Sequence, residues 1–184
     1  METLSKLKPV KYLLLYLILF FCSCSPKTDE VQMIYNDRSE IINLFASKSV
    51  MRSRGKNIIL FYTHNKSKTN KYFFEINNSQ LQFTNDSIEY APDLLQLKNE
   101  RGNELYKQEL ISKVKMFLDK MDEFNIRDIS SDMAGVGISL KIYMKSKGVI
   151  LYVPNSQSVP GPRFKDYINS MQKLDENWYY TMNE

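Results

Sequence analysis

Alternation of apolar and polar side chains over residues 136–144 restricts the fold of this chain more than any other feature. The apolar set takes every second position: Val136, Ile138, Leu140, Ile142 and Met144. A period of two predicts a β-strand with one buried face. A polar stretch over 145–148 ends at Gly148, for which we expect a positive φ, and an apolar run over 149–153 follows. The pattern therefore predicts a β-hairpin and, with it, an antiparallel sheet.

Residues 104–124 show a helical period instead. Apolar side chains recur at i, i+3, i+4 and i+7, at Leu110, Ile111, Val114, Phe117, Leu118, Met121 and Phe124. A last helix is predicted to begin near Arg163, with an apolar stripe that reaches Trp178. Each stripe indicates a helix with one face docked on a core.

Short runs rich in β-forming residues at 57–62, 71–76 and 81–84 predict further strands. A polar loop over 63–70 and a turn at Asn77-Asn78 are expected to join them, and a short helix is expected within 33–47. The fold class predicted from these elements is α+β, with an antiparallel sheet and the helices at 104–124 and 164–180 packed on one face.

The N-terminus has the pattern of an export signal. Lys6, Lys8 and Lys11 precede an apolar run over residues 12–21. A helix of that length is roughly 15 Å long, about half the thickness of a hydrocarbon core, so a stable transmembrane span is disfavoured.

The run ends at Phe21-Cys22-Ser23-Cys24, which resembles the lipobox of bacterial lipoprotein precursors. In that family a small residue precedes a cysteine that receives diacylglycerol before the leader is cleaved on its N-terminal side. The resemblance covers residues 1–24 and implies Cys24 as the lipidated residue, carrying acyl chains such as palmitate. Cys22 fits less well because the bulky Phe21 precedes it. The alternatives are an ordinary cleaved signal and a short anchor helix.

The resemblance implies a lipoprotein signal peptide over 1–23. The polar composition that follows predicts a tether over 24–32, and the remaining length predicts a single α+β domain over 33–184. It also implies a place in the bacterial cell envelope, anchored to a membrane by lipid. No Asp follows Cys24 directly, which favours the outer membrane weakly over the inner one.

The sequence offers little for catalysis. No cysteine follows Cys24, so the domain has no disulfide, thiolate nucleophile or cysteine metal cluster. His64 is the single histidine and is interpreted as a solvated loop residue, with a catalytic base or metal ligand as the alternative. We expect no catalytic residue, metal or cofactor. Catalysis by a pair of carboxylates remains an alternative, with the candidates Asp119, Asp122, Glu123, Asp128 and Asp132. We interpret these acids as a solvated face.

Basic residues are concentrated between positions 48 and 71. If the loops around them flank the same strand pair, they form one basic rim that suits anionic headgroups or an acidic protein. The candidate partner-binding residues are Arg52, Arg54, Lys56, Lys66, Lys68 and Lys71, together with the aromatic pair Trp178 and Tyr179. Ordinary solvated loops are the alternative for the lysines and arginines, and core packing is the alternative for Trp178.

The formal net charge of +4 is too small to argue for nucleic-acid binding. The function predicted is that of a non-enzymatic, lipid-anchored binding or accessory protein with a protein or glycan partner. A small carboxylate-dependent hydrolase of envelope polysaccharide and a structural spacer remain as alternatives.

Overall fold

The computed structural model describes residues 26–53, 57–65, 68–88, 95–132 and 135–182. The helices are α1 (Pro26–Asn36), α2 (Arg38–Phe45), α3 (Glu104–Glu123) and α4 (Pro162–Asn169). The strands are β1 (Lys48–Arg52), β2 (Ile58–Asn65), β3 (Lys68–Asn77), β4 (Gln80–Ile88), β5 (Ile126–Ser131), β6 (Leu140–Met144), β7 (Val149–Tyr152), β8 (Gln172–Lys173) and β9 (Trp178–Thr181).

All of these strands belong to one sheet, in the order β4-β3-β2-β1-β5-β6-β7-β9-β8, and every paired neighbour is antiparallel. The predicted α+β class with an antiparallel sheet is therefore confirmed. The sheet is larger than predicted, because the sequence patterns predict no strand at β1, β5, β8 or β9, and the stretch expected as a loop over 63–70 lies mostly in β2 and β3.

The two halves of the sheet repeat one order of elements. In each half a helix leads through a residue with positive φ into a central strand, and further strands are added outward. The linking residues are Ser47 (φ 60°) and Asn125 (φ 59°). The carbonyl of Ser47 accepts from the amide of His64 at 2.8 Å, and that of Asn125 accepts from Lys145 at 3.1 Å. The central strands β1 and β5 meet at Val50 and Ile129.

The main core lies between α1, α2, α3 and one face of the sheet. Its α3 members are Tyr106, Leu110, Val114, Phe117 and Met121, which confirms the stripe predicted for that helix. Asn103 caps the helix, since its side chain accepts from the Tyr106 amide at 2.6 Å.

A second core cluster lies on the opposite face. Along β7 and β9 its members Leu151 and Tyr179 alternate with Ile150 and Trp178 of the main core, and alternate strand residues point to opposite faces. The buried residue of α4, Ile168, belongs to this second cluster. The expectation that both long helices cover one face is therefore not confirmed, because α4 packs against the reverse side of the sheet.

The C-terminal helix is shorter than predicted. It ends at Asn169, and Trp178 lies in β9 rather than on a helical stripe. Asp175 turns the chain between them, because its Oδ1 accepts from the amides of Asn177 at 2.7 Å and Trp178 at 2.9 Å.

The predicted hairpin forms, with Leu140 opposite Tyr152 and Tyr143 opposite Val149. Its strand begins at Leu140, so the alternation over 136–139 precedes the sheet. The positive φ in the turn belongs to Lys147 (φ 71°) and not to Gly148. Gly148 is closely packed, since a Cβ there would overlap Cε of Met144 and that side chain would have to move.

The predicted tether is also shorter than expected. Residues 26–32 lie in α1, and Val31 and Ile34 are buried in the main core. Cys24 itself, like the rest of the signal sequence, lies outside the described residues.

Candidate functional site

The reverse face of the sheet is covered by α4 over β6, β7 and β9, whereas no described helix packs over β1, β2 and β3. In register across those three strands, Met51 lies opposite Leu60, and Leu60 lies opposite Phe73. We call Met51, Leu60 and Phe73 the apolar row. Met51 is 39% exposed, the other two are half-buried, and none of the three belongs to either core cluster.

The rows on either side of the apolar row carry both apolar and charged side chains. Tyr62 lies beside the apolar row and pairs with Lys71, and Ile58 pairs with Glu75 on the other side. Burial raises the pKa of the Tyr62 phenol. The face therefore has an apolar centre with a cation at one margin and an anion at the other.

Two further cations lie on the same side of the sheet, toward its middle. The guanidinium of Arg127 stands 5.4 Å from the ring centroid of Tyr143, and Nζ of Lys141 stands 4.8 Å from it. Tyr143 packs against the second core cluster, which places this aromatic and cationic group between the covered half and the uncovered half of the face. Arg127 also forms an ion pair with Asp128 at 2.8 Å.

The structure does not bring the described members of the predicted basic rim together. Arg52 lies opposite Ile59 at one end of β2, and Lys68 lies opposite Asn65 at the other end. Six residues of strand correspond to roughly 20 Å. The two loops therefore leave opposite ends of the strand pair. Arg54, Lys56 and Lys66 lie outside the described residues.

The Arg52 side chain forms an ion pair on the face of the sheet that α3 covers. Its Nη2 forms an ion pair with Oδ1 of Asp122 at 2.9 Å, and Nζ of Lys145 reaches the same oxygen at 2.9 Å. Lys71 alone among the described rim residues lies on the uncovered face.

The aromatic pair near the C-terminus is buried. Trp178 is 2% exposed, and Tyr179 is 8% exposed on the other side of the sheet. Trp178 stacks on Tyr152 with 5.0 Å between ring centroids. Neither residue presents an aromatic surface to a partner in this structure.

His64 is not a solvated loop residue, because it lies in β2 and is 6% exposed. Its Nε2 is 3.1 Å from Oγ of Ser49, and its Nδ1 is 3.2 Å from Oγ1 of Thr69. Burial lowers the pKa of the imidazole, which favours the neutral ring. Ser49 is fully buried, so its Oγ is enclosed, whereas His64 also lines a cavity at the end of β2.

A concave site of about 500 Å³ opens where several strands end. We call it the strand-end cavity; its described walls come from α2 and the following loop, His64 at the end of β2, β6 and β7, and Ser131, Asp132, Gly135 and Ser139. Ser131, in its wall, is hydrogen-bonded to Ser49 through both its amide (2.9 Å) and its Oγ (3.2 Å). The cavity is thereby linked to His64.

Two of the acids considered for carboxylate chemistry line another groove, of about 480 Å³, between α3 and the ends of β3 and β4. Desolvation raises the pKa of Asp122, but the hydrogen bonds and charges of Lys145 and Arg52 outweigh it, so its pKa lies below the ordinary value. A glycosidase needs one carboxyl that stays protonated as the acid. Asp122 does not suit that role, because its two cations hold it ionised.

The residues that sequence reasoning missed are Ser49, Ser131 and the members of the apolar row. One signal was available: residues 58–62 are apolar at every position, which is typical of a strand whose two faces both carry apolar side chains.

No cluster of three or more potential metal ligands occurs among the described residues. No helix in the described part of the chain has the length and hydropathy needed to cross a bilayer. No protein-family model matches the chain, and neither a curated protein nor a solved structure shows significant similarity to it.

Proposed function

We propose that this protein is a non-enzymatic binding module, anchored by lipid on Cys24 in the bacterial envelope, that binds a partner protein through the uncovered half of its sheet. The anchor rests on the resemblance of residues 21–24 to a lipobox. The binding role rests on one observation, the apolar row that no described element covers.

The apolar row is a candidate contact surface. Large contiguous apolar patches on protein surfaces mark interaction sites. Here the row runs across three strands held in register, so its side chains stand on a rigid frame. Binding to a preformed frame loses little conformational freedom, which favours affinity.

The occupant that fits this face is a protein surface with an apolar centre and acidic groups at one margin. The side chains of Leu60 and Phe73 supply apolar contact, and none of the ion pairs among the described residues includes Lys71. Lys141 and Arg127 lie further toward the covered half, where Arg127 is paired with Asp128. Charge complementarity of this type orients a partner as it approaches.

The proposed anchor is compatible with an uncovered sheet face. Residue 24 precedes α1, and α1 packs into the main core through Val31 and Ile34 rather than over the apolar row. A lipid carried on Cys24 would therefore join the chain next to an element that does not cover the row.

The rival hydrolase has less support. Asp119 and Asp122 share a groove, but Asp122 is held by two cations, and the Oγ of Ser49 beside His64 is fully buried. A spacer would need neither an apolar row nor a cationic margin on its free face.

The test is site-specific photocrosslinking in the native host, with a photoreactive residue at Met51 or Phe73 of the full-length protein. Met116 on α3 is the matched control, because it is a methionine of similar exposure, 42% against 39% for Met51. We expect a discrete protein adduct from the two face positions and none from position 116. Lys71→Glu should weaken the adduct formed at Met51.

The other outcomes count against the proposal. Equal adducts at all three positions would indicate nonspecific contact. An adduct with twice the mass of this chain would identify a second copy as the occupant, and a lipid adduct would identify the membrane. No adduct at either face position would remove the proposed role of the face.

A further inference from the structure

The strand-end cavity shares no lining residue with the apolar row. We propose that this cavity binds a small, uncharged, polyhydroxylated ligand, such as a single sugar ring or a cyclic polyol. The inference does not depend on the proposed partner protein.

The polar wall of the cavity offers hydroxyl and carboxylate groups at several points. Ser47, Ser131 and Ser139 contribute hydroxyls, each able to donate and accept, and Asp132 contributes two acceptor oxygens. A ligand with several hydroxyls can satisfy such a wall. An apolar ligand would leave the same groups without partners, at a cost of about 1–3 kcal/mol for each.

The carboxylate is held in a fixed orientation. Oδ1 of Asp132 accepts from the amide of Val136 at 2.8 Å, and Oδ2 accepts from the amide of Gly137 at 2.7 Å. Each oxygen retains a further lone pair for a ligand hydroxyl. The carboxylate is thereby organised before a ligand arrives, which reduces the ordering that binding requires.

Ser131 is fixed in the same manner. Its Oγ is bonded to Ser49, which in turn contacts the imidazole of His64. The hydrogen bonds from Ser131 through Ser49 to the neutral imidazole can run in either direction. Oγ of Ser131 can therefore donate to a ligand hydroxyl or accept from one.

The lining also includes apolar side chains, one of them aromatic. Leu140 and Tyr152 lie in register on adjacent strands, and Tyr152 is held by its stack on Trp178. A lining that combines apolar and polar side chains suits a sugar ring, which carries both C–H groups and hydroxyls. The volume of about 500 Å³ falls within the range typical of small-molecule sites.

Charge selects against anionic ligands. Among the described residues of the wall there is no lysine or arginine, and Asp132 carries a negative charge. A phosphate or carboxylate would lose its hydration without gaining a cation. The wall therefore favours a ligand without charge.

Saturation-transfer NMR on the full-length protein tests this inference. The protein is kept in a zwitterionic detergent, because detergents with sugar headgroups would compete. The probes are glucose, galactose, N-acetylglucosamine and myo-inositol, with glucose 6-phosphate as the anionic control. We expect saturable transfer to at least one neutral probe and weaker binding of glucose 6-phosphate.

Two wall variants and one matched control locate the binding. We expect Asp132→Asn to weaken binding at least about tenfold, because it removes the charge-assisted hydrogen bond and also replaces one of the two acceptors of the Val136 and Gly137 amides. Ser139→Ala removes a hydroxyl without disturbing the Asp132 contacts, and it should also weaken binding. Asp166→Asn, at an exposed position on α4, should have no effect.

Three results would overturn the proposal. The first is the absence of saturable transfer from every neutral probe. The second is undiminished binding in both Asp132→Asn and Ser139→Ala. The third is binding of glucose 6-phosphate as tight as that of glucose.

Discussion

Oγ of Ser49 lies 3.1 Å from Nε2 of His64, and both side chains are buried within the sheet. The two residues come from adjacent strands, with Ser49 opposite Tyr62 and His64 stacked beside Tyr62. This contact replaces the solvation that a histidine loses on burial. It is an internal contact of the folded chain, and its first consequence concerns stability.

We expect the free energy of unfolding to fall on acidification because of His64. Its pKa in the folded chain is lowered by burial from an ordinary value of 6.5. The unfolded chain therefore takes up the proton first, so the stabilisation is complete above about pH 6.5 and is lost as the pH falls through that value toward the folded-state pKa. Urea unfolding between about pH 7.5 and pH 5 measures the slope.

His64→Gln is the control for that experiment, because glutamine keeps a hydrogen-bonding group and does not titrate. Since His64 is the single histidine, the difference in slope between the two proteins isolates its contribution. Identical slopes would show that His64 titrates alike in the folded and unfolded states.

Ser49→Ala should lower the free energy of unfolding by about 1–3 kcal/mol, because it leaves the imidazole and the Ser131 amide without their buried partner. Chemical denaturation with a two-state fit measures the change. Ser87→Ala on the edge strand, at an exposed position, should stay within about 0.5 kcal/mol of the parent. A loss of the same size in both variants would contradict the role given to Ser49.

Gly148→Ala should cost about 1–3 kcal/mol through overpacking, because the new methyl would overlap Cε of Met144 and lie 2.9 Å from Sδ of Met182. Both atoms belong to flexible side chains, so the structure can adjust in part. Adding Met182→Ala should recover some of the loss. A fully stable Gly148→Ala protein would show that the glycine is not required for space.

Asp86 joins the edge strand β4 to the start of α3. Its carboxylate accepts from the Tyr106 hydroxyl at 3.1 Å and from Nη2 of Arg101. Asp86→Ala should destabilise the protein by about 1–3 kcal/mol, since the buried Tyr106 hydroxyl loses its acceptor. Tyr106→Phe should cost less in the Asp86→Ala background than in the parent. A double-mutant cycle with additive costs would argue against the contact.

Cys24→Ala should move the protein from the membrane fraction to the soluble fraction, because the lipid supplies the anchor that the resemblance implies. Membrane fractionation and mass spectrometry of the N-terminus measure the change. Cys22→Ala is the matched control and should leave fractionation unchanged. Retention of Cys24→Ala in membranes would count against lipidation at this residue.

The parts of the fold with a clear period were predictable from the sequence. The stripe of α3 and the hairpin of β6 and β7 both follow patterns set by local geometry, because one of their faces is buried and the other meets solvent. The C-terminal strand lacked such a pattern. Trp178 and Tyr179 are buried on opposite sides of the sheet, so no alternation marks β9.

The candidate sites depended on contacts that no local pattern shows. His64 has polar neighbours in sequence, yet Ser49 and Thr69 allow it to be buried by pairing with both ring nitrogens. Tertiary packing also decides how much of the reverse face α4 covers. The helix lies over β6, β7 and β9 and leaves Leu60 and Phe73 uncovered. The basic cluster was visible in the sequence, but the strand register that separates Arg52 from Lys68 was not.

The pairing of β1 with β5, which joins the two halves of the sheet and is called the seam below, has a consequence for how the chain folds. Each half of the sheet is built largely from neighbouring segments, whereas Val50 and Ile129 meet across about 80 residues of sequence. Closing that long loop costs conformational entropy before the contact between Val50 and Ile129 can form. We expect the halves to collapse early and the seam to close last, so that Val50→Ala would speed unfolding while leaving the refolding rate nearly unchanged.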